Sequence, residues 1–479
     1  MSGEFVGYTH RAGVVLKFLV VGGGLSGLAS AYTLRKAGHE VTLLERTDGT
    51  WRNTGTGGLR SPPNMTNLLK QWGLGPSLEH ISQECKKIDF CAGYSGEKVG
   101  TLLINDYFLQ DLVAPFLFMQ HGDLHSSLYD LARQAGVEFR FNSNIVGSEV
   151  ERGVVHLADG TSLKGDIIVA ADGYDSIFRP LIVGDSDSDD SDEDTSQEKH
   201  LLVRFTLPTE LLVRDPELRP LTEDPSVWSF WFGSGYVIHA NMLNARGSFT
   251  VTMIMDYTGS IGPEDQEWRE HRGFDDFQLN FNDFEPRTKK LLNLANSFSS
   301  RVFITRPCLE TLVCDSSRLV LVGEAAHPLL PGGHHCTSLA LEGAQTLGCI
   351  FSRIQSRDEI SRLVTAYDEI ATPHANAVHS YDHQHQKLYK APRGAVQAAR
   401  DARFRSTLIQ HEGEHMEEAN FRELWGMELA IFAYDAADAV EDWWGQWGSV
   451  LMRNSNKQSI LSNVEISVSN DKKESGVTV

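Results

Sequence analysis

A Rossmann-like α/β domain, interleaved with a β-sheet domain and followed by C-terminal helices, is the fold class this sequence predicts. Three observations predict it. A strand–turn–helix–strand unit with a glycine-rich turn occupies residues 15–45. Two later apolar strands each end in a carboxylate, at Asp172 and at Glu324. A stretch from about 200 to 300 is rich in β-branched and aromatic residues, and helical patterning follows it.

The first unit opens with an apolar strand, Val15 to Val21. A GxGxxG turn follows at Gly22, Gly24 and Gly27, in the run Gly22-Gly23-Gly24-Leu25-Ser26-Gly27. An Ala/Leu-rich helix runs to about Ala37. A second strand, Val41 to Leu44, ends on Glu45, with Arg46 next. Each residue type suits a dinucleotide. Gly22 permits the tight turn, Gly24 lets the backbone approach a pyrophosphate, and Gly27 lets helix and strand pack closely. The pyrophosphate charge sits on the helix N-terminus, and the acid after the second strand accepts ribose hydroxyls.

Two later strands select the dinucleotide. Asp166-Ile-Ile-Val-Ala-Ala171 ends in Asp172-Gly173, followed by Ser176 and Arg179. Arg318-Leu-Val-Leu-Val ends in Gly323-Glu324-Ala325-Ala326-His327-Pro328. Two carboxylate-ended strands, both far from the glycine turn, suit one long extended ligand. They favour FAD over NAD.

The remaining elements follow in order. Asn64 is expected to cap a helix over Met65–Trp72. The segment from His121 opens a helix through Ala135. Strands are expected near Val137–Phe141 and Val154–Leu157, with a hairpin turn at Asp159-Gly160. Ser226–Ala240 and Ser248–Met255 read as strands of a sheet laid over the cofactor. The pattern is helical from about Ser361. The expected FAD-binding domain is discontinuous, over 1–80, 100–185 and 301–365. The substrate domain takes 81–99 and 200–300. The acidic run at 186–199 is expected to be a disordered surface loop, because its charges repel and it has little apolar surface to bury. A helical region at 366–461 and a disordered tail at 462–479 complete the chain.

Composition bounds the function. The chain has 479 residues, 41% of them hydrophobic, enough for a large core and two or three domains. A formal charge of −21 argues against nucleic acid or an anionic membrane as partner. No apolar run of membrane-spanning length occurs, and the N-terminus lacks a basic region followed by an apolar core. Six cysteines without a CxxC pattern read as reduced thiols, and a cytoplasmic location is expected. His379 and His383 stand at i,i+4 spacing, but no third ligand completes a set. They are expected to be solvated helix histidines, and no metal site is expected.

The three ordered motifs resemble those of the single-component FAD aromatic hydroxylases. These are the group A flavoprotein monooxygenases that include salicylate hydroxylase and para-hydroxybenzoate hydroxylase. The resemblance covers roughly residues 15–385. It extends more weakly through Asp435–Trp444, which is similar to the C-terminal part of fungal salicylate-hydroxylase-like proteins. It implies FAD as cofactor, NAD(P)H as co-substrate, O2, and hydroxylation of a small aromatic, phenolic substrate through a flavin hydroperoxide. It implies that Gly22, Gly24, Leu25, Ser26 and Gly27 hold the pyrophosphate, and that Glu45 and Arg46 hold the adenosine ribose. Asp172 would lie near the adenine-side segment, and Glu324 near the ribityl–pyrophosphate region. The loop from Pro328 to Cys336, with Pro331, Gly333 and His335, would run beside the isoalloxazine. The helix from about Thr337 would aim its positive end at the flavin. Arg60 stands in a loop that would approach flavin or substrate, and His121 stands where the family usually has an arginine. The family's Gly-Asp is Gly323-Glu324 here, and its flavin-side glycine pair gives way to His334-His335-Cys336.

Substrate contacts are sought in Ser226–His239, which alternates across a sheet. Trp228, Phe230, Phe232 and His239 are candidates, subject to register. His239 is the candidate catalytic base for a phenolic proton. Two further readings stay open. One is epoxidation or oxidative decarboxylation of a non-phenolic metabolite. The other is a flavin-binding module with little turnover, motivated by the altered loop and the acidic insertion.

Overall fold

The strand Lys17–Val21 lies at the centre of a five-stranded parallel sheet. Glu40–Leu44 and then Glu138–Arg140 flank it on one side, and Ile167–Ala170 and then Leu319–Leu321 on the other. Four of these strands are buried almost throughout, as a sheet covered on both faces requires. The chain turns first to one side of the central strand and later to the other. That is a topological switch, where ligands of open α/β sheets bind at the strands' C-terminal ends. In the computed structural model the described residues are 8–50, 57–104, 112, 114–183, 198–243, 247–262, 265, 268–273, 281–296, 298–330, 335–408 and 418–448.

The helix Leu25–Lys36 covers this sheet, with Arg35 and Lys36 complementing its negative C-terminal end. It packs closely on the helix Cys336–Phe351. Thr33 Oγ1 donates to the Ala344 carbonyl at 2.7 Å, and a Cβ at Gly348 would stand 2.7 Å from Thr33 Cβ.

An eight-stranded sheet forms the second layer. Its order is Arg269–Arg272, Phe298–Ile304, Lys199–Pro208, Ser248–Asp256, Tyr236–Leu243, Val227–Gly233, Lys87–Ala92 and Lys98–Leu103. All neighbours are antiparallel except Val227–Gly233 beside Lys87–Ala92. One face carries Trp228, Phe230, Phe232 and Val237, the other Trp231, Ile238, Val251 and Met253. Each face is the heart of its own apolar cluster, so both sides of the sheet are buried. A three-stranded sheet, Gly58–Ser61, Leu117–Gln120 and Ser82–Glu84, also forms, as does a small meander, Ile145–Glu149, Val154–Leu157 and Ser162–Lys164.

Several expectations need correction. The eight-stranded sheet continues through Leu103 and Ile304, past the boundaries expected at 99 and 300, because sheet pairing rather than composition sets where a strand ends. Ser82–Glu84, expected in the substrate domain, instead pairs with Leu117–Gln120. Asn64 is not a cap. The helix is Pro63–Gln71, so Asn64 lies inside its first turn and donates to Glu342. Lys199, placed in the acidic loop, begins a strand of the sheet. Residues 184–197, the tail from Ser462, and Pro331, Gly333 and His334 lie outside the described residues.

Helices Ile360–Tyr389, Ala395–Arg405 and Glu418–Phe432 follow. His379 and His383 are half-buried, not solvated, and burial lowers the pKa of both. The contacts divide the chain into two units at Ala436/Ala437. The described part of the second continues the helix Ala436–Trp443 into a π-helical turn, Trp444–Gly448. Among the described residues, no helix is long and apolar enough to cross a membrane.

Candidate active site

Three chain segments far apart in sequence meet at the C-terminal edge of the parallel sheet. Gly22 has φ +104°, and a Cβ there would lie 2.3 Å from the Ala171 carbonyl. A Cβ on Gly27 would lie 1.9 Å from the Gly22 carbonyl. Only glycine fits either position. Gly323, at φ +62°, packs on Ser26, and the space beside Gly173 is bounded by the Glu324 carboxylate at 3.9 Å. The glycine turn, Asp172-Gly173 and Gly323-Glu324 therefore line one cleft. Arg179 ties two of these segments by donating to the Ala325 and Ala326 carbonyls at 3.3 and 3.1 Å.

Gly24 differs from its neighbours. A Cβ built there meets nothing within 4 Å. It is the extended N-cap of Leu25–Lys36, and no side chain caps the helix. Backbone donors and the positive end of the helix thus border open space, where a pyrophosphate fits. Glu45 folds back on the turn. One carboxylate oxygen accepts from Gly23 N at 2.7 Å, and the other accepts from Thr47 N and Oγ1, both at 2.9 Å. The oxygen bonded to Gly23 keeps lone-pair capacity for a ribose hydroxyl. Arg46 is exposed, and its charge acts on Asp172. Burial raises the Asp172 pKa, and its Oδ1 has no partner among the described residues. Burial also raises the Glu324 pKa, and the Cys336 thiol stands 3.4 Å from that carboxylate. An open cradle, an uncapped helix start and a buried, unpartnered carboxylate oxygen all fit FAD.

His121 begins the helix His121–Gln134 and stacks on His125 with 6.2 Å between ring centroids. Burial lowers its pKa to about 4, so it is neutral where the family carries a cation. The sequence reading missed His125. Its Nε2 donates to the Gly23 carbonyl at 2.8 Å, bracing the glycine turn from outside. The i,i+4 spacing of the two histidines was the available signal.

The substrate-side residues come together on one face of the large sheet. Phe230 pairs with His239 and Trp228 with Asn241, so all four point the same way. Arg60 reaches this face. It is buried, and its Nη2 donates to His239 Nδ1 at 2.8 Å and to Asn241 Oδ1 at 3.1 Å. Its guanidinium carbon lies 5.3 Å from the Trp228 ring centroid. Burial lowers the Arg60 pKa to about 9, which leaves it charged at neutral pH.

Beside this cluster lies an aromatic pocket bounded by Phe90, Trp228, Phe230, Tyr389, Trp425 and Phe432, with Glu428 as its one charged wall. Leu330 packs against the same apolar cluster. His335, which precedes the helix Cys336–Phe351, is fully buried behind Glu428. Its Nε2 lies 3.7 Å from Glu428 Oε1 and 3.8 Å from Asp382 Oδ1. Burial alone would lower the His335 pKa, but the two carboxylates outweigh it and raise the value. Sequence reasoning placed His335 beside the flavin and did not foresee Asp382 or Glu428 as its partners.

Comparisons with known proteins agree with this cleft. The chain is 27% identical over 434 residues to the FAD-dependent monooxygenase OpS4 of Beauveria bassiana (strain ARSEF 2860), covering 89% of this chain and 96% of the relative. It is 26% identical over 394 residues to the 3-amino-4-hydroxybenzoate 2-monooxygenase of Streptomyces cremeus, covering 82% and 92%. The crystal structure of native FqzB superposes with a TM-score of 0.71 at 20% identity, covering 94% of this chain and 96% of that one, and so shares the fold. The profile of the family described as FAD binding domain matches residues 16–272, which hold the glycine turn, Glu45, Asp172 and most of the large sheet. A family match over more than half the chain, on a cleft built as such a domain needs, shows that this chain belongs to the FAD binding domain family.

Proposed function

We propose that this chain is an FAD-dependent monooxygenase that consumes NAD(P)H and O2 to hydroxylate a small aromatic substrate. The observation that carries the reading is the meeting of three strand ends around Gly24, with an aromatic pocket on the adjoining sheet. When bound, FAD supplies the redox chemistry. Two electrons from NAD(P)H and one proton let O2 place one oxygen on the ring and leave the other as water.

The residues of this chain bind, orient and shield. The first turn of Leu25–Lys36 and the Gly24 backbone hold the pyrophosphate, and Glu45 holds the ribose. Asp172 and Glu324 border the rest of the cleft. The apolar walls around Phe230 and Trp228 exclude water from the ring. The cavity they leave is about 20 Å3, room for a water, so a ring binds by displacing lining side chains. A cytoplasmic location is part of the reading, supported by six free cysteines.

The test is oxygen uptake and NAD(P)H oxidation by FAD-loaded protein across a panel of phenols. Substrate-stimulated consumption with hydroxylated product is expected. Bound FAD with no stimulated reduction by any member of the panel would replace the enzyme with a flavin-binding module.

A further inference from the structure

The helix Glu418–Phe432 turns one face to the aromatic pocket. Trp425, Glu428 and Phe432 are spaced i, i+3 and i+7, and all three line it. Trp425 is 7% exposed, and its indole Nε1–H has no partner among the described residues. An indole N–H can only donate, and burying one without a partner costs free energy. Glu428, also 7% exposed, presents a carboxylate one helical turn away. An ionised carboxylate can only accept. A buried donor and a buried acceptor thus line one pocket, whose other polar groups are the Tyr389 hydroxyl and the Trp228 indole N–H.

We propose that Trp425 and Glu428 together read a hydroxyl on the substrate ring. A phenolic oxygen matches both groups at once. Its O–H donates to Glu428, and its lone pair accepts from Trp425 Nε1–H. Other small rings match only in part. An aryl methyl ether accepts but cannot donate. An aromatic amine donates but is a poor acceptor. A benzoate accepts only, and its charge faces Glu428 in a medium of low dielectric. The pocket therefore selects an uncharged phenol and rejects ring carboxylates, unlike the carboxylated ring in the name of the Streptomyces relative.

His335 and Asp382 are positioning residues in this arrangement. Glu428 is held from behind by His335, which Asp382 also faces. Glu342 adds a further negative charge to the field at His335, and the Tyr381 and Phe432 rings close around it. The carboxylates that raise the His335 pKa, Asp382, Glu428 and Glu342, set a negative field beside the pocket. That field favours a hydrogen-bond donor in the ligand and disfavours an anion.

This inference rests on the pocket being the substrate site of the monooxygenase, and binding is measured apart from turnover. Phenol, anisole, aniline and benzoate are titrated by calorimetry into oxidised, FAD-loaded full-length protein without NAD(P)H. Phenol is expected to bind about tenfold or more tightly than anisole or benzoate, because only it satisfies both buried groups. Glu428→Gln should narrow the gap between phenol and benzoate to about threefold or less, since the repelling charge is gone. Trp425→Phe keeps the ring and should lose about threefold to tenfold in affinity for phenol and for anisole, whose oxygens both accept, while aniline binding changes little. FAD content and Tm verify that each variant is folded, and the wild-type ranking stands by itself if a variant is not. Equal binding of phenol and anisole, or a phenol preference unchanged in both variants, overturns the proposal. So does the absence of phenol binding. Oxygen uptake read in parallel separates the two readings. Phenol preference without stimulated uptake discards the monooxygenase and keeps the recognition pair. Uptake stimulated equally by anisole and phenol does the reverse.

Discussion

Arg60 Nη2 donates a 2.8 Å hydrogen bond to His239 Nδ1. A guanidinium has no acceptor, so Nδ1 must be the accepting nitrogen, and the proton of the neutral ring sits on Nε2. The two residues come from different sheets, and both are buried. A positive neighbour at this distance opposes protonation of the ring. In this geometry His239 anchors Arg60 and presents an N–H, whereas a base needs an open lone pair.

The His239 geometry makes a pH prediction. His239→Gln keeps an acceptor for Arg60 and should leave the shape of the rate-against-pH profile unchanged. His239→Leu removes one of the acceptors of the buried guanidinium and should destabilise the fold by about 1–3 kcal/mol. The measurements are product formation across pH 6 to about 9 and Tm for each variant. Loss of the acidic limb in the Gln variant would restore His239 as the general base.

Gly24→Val should yield folded protein without yellow colour. The added side chain meets no protein atom, so it enters only the space assigned to the pyrophosphate. Gly27→Val is the contrast. Its Cβ would strike the Gly22 carbonyl at 1.9 Å, and Tm should fall by several degrees or folding should fail. Flavin absorbance and a thermal melt read both. Stoichiometric FAD in folded Gly24→Val would remove the cradle from its assigned place.

His39 makes stability depend on pH. It is fully buried and accepts from Leu16 N at 3.3 Å through Nδ1, while Nε2 donates to the Phe351 carbonyl at 3.1 Å. Burial, the main cause, lowers its pKa to about 4. The unfolded chain, at an ordinary value of about 6.5, binds the proton first. Between those values the unfolded state holds more protons, so stability falls as pH falls through that window, by on the order of 3 kcal/mol for this residue. His39→Gln should flatten the denaturant-midpoint curve between pH 6.5 and about 4. An equally steep curve in the variant would assign the acid sensitivity elsewhere.

Glu342 joins three helices. It accepts from Asn64 on one side and from His374 Nε2 at 2.9 Å on the other. Glu342→Ala leaves the buried Asn64 and the half-buried His374 without this acceptor and should cost about 1–3 kcal/mol, read as a lower Tm. The preference for phenol over anisole should survive, since the pocket wall itself is untouched. Loss of that preference with Tm unchanged would place Glu342 in substrate recognition.

The sequence by itself determined the parallel-sheet end of the protein and its ligand. Gly22 and Gly27 are demanded by local contacts that no other residue satisfies, and Gly24 by the space left open for the ligand. Glu45, Asp172 and Glu324 follow strands whose apolar runs are plain in the chain. Alternation also put Trp228, Phe230 and Phe232 on one face, because side chains on a strand repeat every second residue. Register was different. His239 joined that face only because Phe230 pairs with it across the hairpin, and a slip of one residue would have turned it away. Arg60 reads in the chain as a loop arginine that would approach flavin or substrate, and only pairing between distant strands put it on His239 and Asn241 under the sheet. The spacing of Trp425, Glu428 and Phe432 shows that they share a helix face, but not what that face covers. Packing of that helix over the aromatic pocket, with His335 and Asp382 behind it, was decided by tertiary structure alone. A donor and an acceptor become a site only when burial removes the water that would otherwise satisfy them.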